Sequence, residues 1–566
     1  MAAIRTYSDL KGAVNPLISY WRPRNNKMKE WYRLIQMKDD LAEDGMESFV
    51  GNDPRSEYNL LLHMLDEKIP HRIPSHMMTE ELLHVSSDIE DFFSRAWEDV
   101  YKTYRHRGNQ TWMRTFLGYL LATGWYSVFA QVTPSGDKCM AEIWNPATVY
   151  PNWDDTLFEC AHVFTIGPLQ AKRLISRNKW NVSAPISSST VIDFWYLDDA
   201  GSVHNVISLG NNIAKPDTIE PRFKSTGISI IVGPAGGLPD DGSLCAEFDD
   251  KVKELGQSVI ATNENIYRSW NKWWTFSMQL LRDTAQPRWF EKSRSTTPIL
   301  NKSDLFKRGA VFRGGPEDSI EPLATPPIPV EIRGNQLDME AMMERGGVSW
   351  AAQGNFRGQL TSYVMAQVVA STAQVASPFH QAAQNAITDI DNLWITMIRD
   401  RDLHPYGFVL PPEFTEDIEI TASYEIKIPG DLIQRATAAK MLDPDFRLSN
   451  QFITTTLFPE IKNPLKEQAL VRSDQAQRNE VNAMISLIEY FKAEANAARE
   501  QGDADAADLY DKASAYVTNM MANQFSRLAG ASQMLPVGQS PQVGIQSNEA
   551  PGLPPNVLPP QIQRPE

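Results

Sequence analysis

Residues 345–400 read RGGVSWAAQGNFRGQLTSYVMAQVVASTAQVASPFHQAAQNAITDIDNLWITMIRD, a glycine-punctuated lead-in followed by a long run with little charge. From Leu360 the apolar residues Leu360, Val364, Val368, Val375, Phe379, Ile387, Ile390, Trp394 and Ile398 mostly recur at three or four residues or multiples of these. That is helical spacing. Taken to Asp400 the helix would run ~60 Å at ~1.5 Å per residue. Pro378 cannot donate to the preceding turn and clashes with it, which predicts a kink near Ser377. No Asp, Glu, Lys or Arg occurs from Gly358 to Thr388. Such a helix is too plain for a solvated surface, yet too rich in Gln, Ser, Thr and Asn for a membrane span. Its expected place is inside a protein assembly, packed through Ala366, Ala370, Ala373, Ala376, Ala382 and Ala383. Upstream, Gly346, Gly347, Gly354 and Gly358 make Arg345–Gly358 a mobile loop in expectation.

Working outward, 566 residues suffice for several domains or one multi-lobed subunit, and 42% hydrophobic residues support real cores. A net charge of −16 argues against a protein that wraps nucleic acid, though not against one that DNA slides past. Cys139, Cys160 and Cys245 are odd in number and far apart, as expected for a reducing compartment without a disulfide framework. The start MAAIRTYSDLKGAV lacks the apolar core of a signal peptide. Phe116–Val132, the most apolar run, is short and broken by Gly118, Gly124 and Ser127, so it reads as a buried helix-to-strand segment. The expectation is a soluble protein made in a cytoplasm, with no membrane partner.

Residues 1–110 read mainly as helices. Trp31, Leu34, Ile35 and Met37 fall on one, and Ile89, Phe92, Phe93, Ala96, Trp97, Val100, Tyr101 and Tyr104 form a core stripe on another. His71 and His76, beside Pro70 and Pro74, read as loop residues without a third metal ligand. Short strands follow at 125–132, 140–144, 158–166, 191–197, 203–209 and 227–232, with a helix near 169–178. This mixed α+β lobe ends at the turn-rich 233–242. A second long helix is expected over 248–285, ~55 Å at ~1.5 Å per residue, and Pro287 ends it. The next segment carries Arg288, Lys292, Arg294, Lys302, Lys307, Arg308 and Arg313 against Glu291 and Asp304. It reads either as a basic patch for DNA phosphates or an acidic partner, or as a solvated hairpin with strands at 297–300 and 309–313. A short helix at 337–345 leads into the glycine loop. Beyond the central helix, 406–429 alternates like strands returning to the lobe, 430–530 is helical, and the Pro/Gln/Ser-rich remainder reads as disordered.

No G-x-x-x-x-G-K-[ST], G-x-S-x-G, H-E-x-x-H or C-x-x-C occurs. Asp389 and Asp391 stand two apart on a helix, on different faces, a poor metal pair. No catalytic residue, metal site or cofactor is expected, and the chain does not read as an enzyme.

The order of parts resembles the portal (head-to-tail connector) proteins of tailed bacteriophages over roughly residues 50–500. The carriers are AEIWNPATVYPNWDD at 141–155, IEPLATPPIP at 320–329, and the succession of long helix, insertion, short helix, Gly-rich loop and kinked helix. The resemblance implies an α+β portal-type subunit: N-terminal helices and α+β wing 1–247, stem helix 248–285, clip 286–329, stem helix 330–345. A tunnel loop 346–359, kinked tunnel helix 360–401, wing return strands 402–430, helical crown 431–530 and disordered tail 531–566 would complete it. It further implies a closed ring of about twelve copies at one capsid vertex of the virion, assembled in the host cytoplasm. Double-stranded DNA would pass through it. Terminase large subunit, major capsid protein, scaffold and head-tail adaptor would be partners.

On that reading Gly346, Gly347, Gln353, Gly354, Asn355, Arg357 and Gly358 belong to the tunnel loop. Pro378 is the kink, and Lys292, Arg294, Lys302, Lys307, Arg308 and Arg313 are clip contacts for DNA, terminase or adaptor. Gln367, Gln374 and Gln381, at heptad spacing, face the bore or a subunit seam, or are plain exposed helix residues. The rival reading is a virion structural or scaffold protein without a channel.

Overall fold

In the computed structural model the described residues are 4–39, 48–66, 71–74, 83–239, 248–285, 289–293, 315–322, 331–348, 362–412, 414–415, 418–424, 426, 470–471, 480–500 and 504–532. The chain is α+β and divides into two compact units, Met1–Lys462 and Asn463–Glu566, each taken here by itself.

The first unit begins with α1 (Tyr7–Ile35), α2 (Asp53–Leu65), β1 (His71–Pro74), α3 (Leu83–His106) and α4 (Trp112–Thr123). β2 (Trp125–Val132) pairs antiparallel with β3 (Cys139–Ile143) and with β9 (Ile230–Pro234). A five-stranded antiparallel meander joins β4 (Val149–Trp153), β5 (Leu157–Ile166), β6 (Ser189–Leu197), β7 (Val203–Leu209) and β8 (Asn212–Ile219), with α5 (Pro168–Asn178) inserted after β5. Pro151, which cannot donate to a ladder, sits in the edge strand β4, where that loss is tolerated.

The helix-to-strand reading of 116–132 holds. Gly124 (φ 70°) ends α4 in the left-handed region, and a Cβ there would stand 2.4 Å from the Gln257 backbone, so only glycine fits. The aromatic stripe on α3 is core: Trp97 lies edge-on to Trp112 at 4.6 Å and tilted against Trp394 at 5.2 Å. Its indole N–H donates to the fully buried Asp391 carboxylate (2.8 Å).

A buried cation fixes α1 to the sheet. Arg24, 2% exposed, donates to the Val149 carbonyl (2.6 Å) and the Pro146 carbonyl (3.3 Å). Its guanidinium lies over Trp21 (4.3 Å) and Trp125 (4.7 Å), and Trp21 donates to the Pro151 carbonyl (2.7 Å). Burial lowers the Arg24 pKa to about 9. The 141–155 stretch that carried the resemblance is therefore where the N-terminal helix is clamped.

Several expectations change. Met37 lies past the end of α1 in a left-handed conformation (φ 54°), exposed. His71 is in β1 and not in a loop; His76 lies outside the described residues. β4 and β8 were missed as strands. The single helix over 248–285 is two: α6 (Phe248–Glu254) and α7 (Glu264–Ala285), the latter ~33 Å long. Between them the backbone bonds elsewhere. Leu238 N–H donates to the Glu254 carbonyl, Gln257 N–H to Ala235 and Val259 N–H to Leu121, so no helical ladder can continue.

The central helix, α9 (Ser362–Arg401), is forty residues long and continues through Pro378. Its lack of charge has a reason within the chain. Ala376, Phe379, Ala382, Ala383, Ala386, Ile387, Ile390 and Trp394 are buried in the unit's own core. Beside that stripe, His380 and Gln384 donate to the Tyr424 carbonyl, Thr388 accepts from Ala422 N–H, and Asn392 exchanges two bonds with Ile420. These four residues, spaced by four, line the open edge of β12 (Ile420–Ser423), whose other edge pairs with β1. Of the expected return strands, only β12 occurs among the described residues, and Tyr406 sits in a left-handed turn instead.

The second unit contains a helical hairpin of α10 (Glu480–Glu500) and α11 (Ala504–Ser532), most of it inside the 430–530 stretch expected to be helical. Most of 430–479, expected to be helical, and the tail beyond 532 lie outside the described residues.

Candidate functional site

Of the residues singled out from the sequence, Lys292, Gly346 and Gly347 fall on or at the end of a helical hairpin. α7 leads to β10 (Trp289–Lys292), which pairs antiparallel with β11 (Ser319–Pro322), and α8 (Glu331–Gly346) returns against α7. The strands observed, Trp289–Lys292 and Ser319–Pro322, are not those expected at 297–300 and 309–313.

Two buried carboxylates fix the root of the hairpin. Glu264, 5% exposed at the first residue of α7, accepts from the Trp31 indole N–H (2.8 Å) and pairs with Lys27 (2.7 Å) and Arg268 (2.7 Å). An acid at a helix N-terminus also suits the helix dipole. On α2, Glu57 is 4% exposed and accepts the Tyr267 hydroxyl at 2.5 Å. Burial pushes its carboxyl up to about 7, against the pull of Tyr267 and the Val348 backbone amide. Asn263 donates to the Met343 carbonyl (2.8 Å), tying the start of α7 to the end of α8.

Gly346 and Gly347 cap this polar knot. A Cβ on Gly346 would stand 2.1 Å from Asn263 Oδ1, and one on Gly347 2.6 Å from Glu57 Oε1. A side chain at either position would displace Asn263 or Glu57 from its place in the knot. Gly346 is the last residue of α8 and not part of a loop.

Away from the root the hairpin is different. Phe276 and Leu281 on α7, Trp289 and Phe290 on β10, and Leu337 and Met342 on α8 are each 40% exposed or more. Lys292 is exposed on β10. Arg294, Lys302, Lys307, Arg308 and Arg313 lie outside the described residues, as do Gln353, Gly354, Asn355, Arg357 and Gly358 and the strands expected at 297–300 and 309–313. On α9, Gln374, Pro378 and Gln381 are exposed, while Gln367 lies in the helix.

The reading by periodicity missed Glu57, Asn263, Tyr267 and Glu264. One signal existed: Glu57 shares a helical face with Leu61, Met64 and Leu65, so an acid occupied a core position. No described helix is long and apolar enough to cross a membrane. Among the described residues no group of three His, Cys, Asp or Glu is placed to hold a metal ion.

No protein-family model matches the chain, and no curated protein matches it in sequence. The solved structures it is similar to include chains of gene transfer agent particles. One is from the neck of an empty particle computed with C6 symmetry (TM-score 0.39, 11% identity, 74% of this chain and 92% of that one). A second is from the neck of a native particle computed with C12 symmetry (0.35, 11%, 71% and 99%). A third is from the virion of a native particle (0.37, 12%, 72% and 89%). All three superpose loosely, and the functional reading rests on the chain's own residues.

Proposed function

We propose that this chain is a portal subunit, a structural protein without enzymatic activity that closes into a ring of about twelve copies around a DNA channel. The carrying observation is the α7–β10/β11–α8 hairpin, anchored at its root by buried carboxylates and bearing half-exposed Phe276, Leu281, Trp289, Phe290, Leu337 and Met342 along its length. Large apolar side chains on both helices and on the ribbon between them suit burial against neighbouring copies, as heterologous ring contacts require.

Around twelve copies a charge of −16 each sums to on the order of −200. Such a field repels phosphate and suits a passage that DNA crosses without adhering. Lys292 and the rest of the basic clip would meet terminase, the adaptor or exiting DNA, and the glycine segment entered at Gly346 would border the channel. Capsid protein and scaffold would surround the ring in the virion.

The test is sedimentation and negative-stain imaging of the purified chain, alone and with co-expressed scaffold. Rings with an axial hole wide enough for a duplex are expected. A compact closed dimer in both preparations would refute the channel and favour a non-channel virion scaffold.

A further inference from the structure

A second feature stands apart from the hairpin. Between the β2–β3 sheet and the face of the five-stranded sheet, with α5 along one side, lies a cleft of about 1320 Å³. Its aromatic wall is a continuous stack: Phe129 on Trp144 (5.2 Å), Trp144 on His162 (4.1 Å), His162 on Phe164 (4.4 Å). Deeper in, Lys215 donates to the Asn205 carbonyl oxygen (2.7 Å), and the Asn205 amide donates to Asp193 (2.7 Å). On the same face Trp195, 4% exposed, stands beside the buried Asp193.

The charges divide into two sets. Arg107 pairs with Glu142, and Lys215 and Arg222 pair with Glu220, so these cations are answered within the chain. Arg173, Arg177 and Lys179, on and just past α5, meet no carboxylate among the described residues. These three exposed cations make the α5 rim of the cleft positive within a chain of net charge −16.

We propose that this cleft receives an acidic, extended polypeptide segment of a partner protein. Its carboxylates meet Arg173, Arg177 and Lys179, and its apolar side chains lie along Trp144 and Phe164. The volume exceeds the ~300–1,000 Å³ typical of small-molecule pockets, which favours a polymer. A nucleic acid fits less well. The rings are stacked on one another and offer bases few free faces, and Glu142 lies on the wall. Strand addition at β3 is closed too, because Tyr406, Trp112 and Tyr104 side chains already bond the backbone of Cys139, Ala141 and Ile143. Along β3, recognition is therefore by side chains and charge.

The inference rests on the cleft alone and is tested on the full chain by fluorescence anisotropy. The probe is a labelled peptide of alternating Glu and Leu; controls are its Lys-for-Glu counterpart and duplex DNA. The Glu peptide is expected to bind saturably and more weakly as salt rises. The surface double variant Arg173→Glu/Arg177→Glu, checked for an unchanged melting curve, should weaken binding by about tenfold or more. Equal binding by the variant, or preference for the Lys peptide, would overturn the proposal. Tighter capture of the duplex through the same arginines would reassign the cleft to nucleic acid. A change in the variant's assembly state without peptide would show a second copy as the occupant and overturn it equally.

Discussion

The core around Trp97 and the hairpin around Trp289 are both rich in aromatic side chains, yet they solve opposite problems. In the core, Trp97, Trp112 and Trp394 are all fully buried or nearly so, and each indole N–H finds an acceptor in the same chain. On the hairpin, Trp289 and Phe290 remain 40% and 55% exposed. The first region is complete as a monomer. The second has its apolar surface laid out and its polar root secured, which is how an element looks when its packing partner is another molecule. Burial among the described residues therefore separates the aromatic core from the surface that the proposed function assigns to neighbouring copies.

Four perturbations should break or sharpen that contrast, and they are ordered by their effect on the stability of the first unit. Arg24→Ala removes two charge-assisted bonds to β4-side carbonyls and should cost roughly 3–4 kcal/mol, read as a lowered urea midpoint by tryptophan fluorescence. Arg24→Met, which keeps much of the packing over Trp21 and Trp125, should recover part of it. If Arg24→Ala melts like the parent, the clamp on α1 is not structural.

Glu57 comes next. Its carboxyl is raised to about 7 in the folded chain from an ordinary 4.5, so the protonated form favours folding. The stabilisation is complete below pH 4.5 and disappears as pH rises through 7, an effect of up to roughly 3 kcal/mol. Glu57→Gln should flatten the stability profile between pH 5 and pH 8 (about the span of the titration). A parent profile already flat there would contradict the buried knot, in which Asp53, Tyr267 and Asn263 surround the acid.

Gly346→Ala forces a Cβ against the Asn263 amide and should cost about 1–3 kcal/mol; a silent substitution would mean the α7–α8 closure yields freely. Smallest in the monomer is Trp289→Glu with Phe290→Glu. Stability should stay within about 0.5 kcal/mol, while sedimentation should show assembly abolished. A stability loss without an assembly defect would make the hairpin part of the core.

Much of the fold was legible where one period ruled. The α3 stripe, the α4–β2 passage through Gly124, strands β5, β6 and β7, and helix α5 all follow from local spacing. What was lost depended on partners distant in sequence. The break between α6 and α7 comes from Leu238, Ala235 and Leu121, which claim backbone groups of residues 254–259. The uncharged helix was read as a surface for other subunits. From Ala376 on, its apolar face is the chain's own core, and its polar stripe at His380, Gln384, Thr388 and Asn392 serves β12. Among the described residues, that stripe carries the helix's hydrogen bonds to β12 and Tyr424. Glu57 could be suspected from its place on an apolar face, but its partners on α7 and the glycines above it are visible only in three dimensions.

Two of the three short sheets among the described residues share one device: a strand edge is finished by side chains, β3 by Tyr104, Trp112 and Tyr406, and β12 by α9. On the proposed function, identical copies of this chain meet at high local concentration during assembly. Unfinished edges under such crowding would invite templated, fibre-like growth. With these edges occupied, self-association is steered away from backbone recruitment and toward surfaces whose geometry can close on itself.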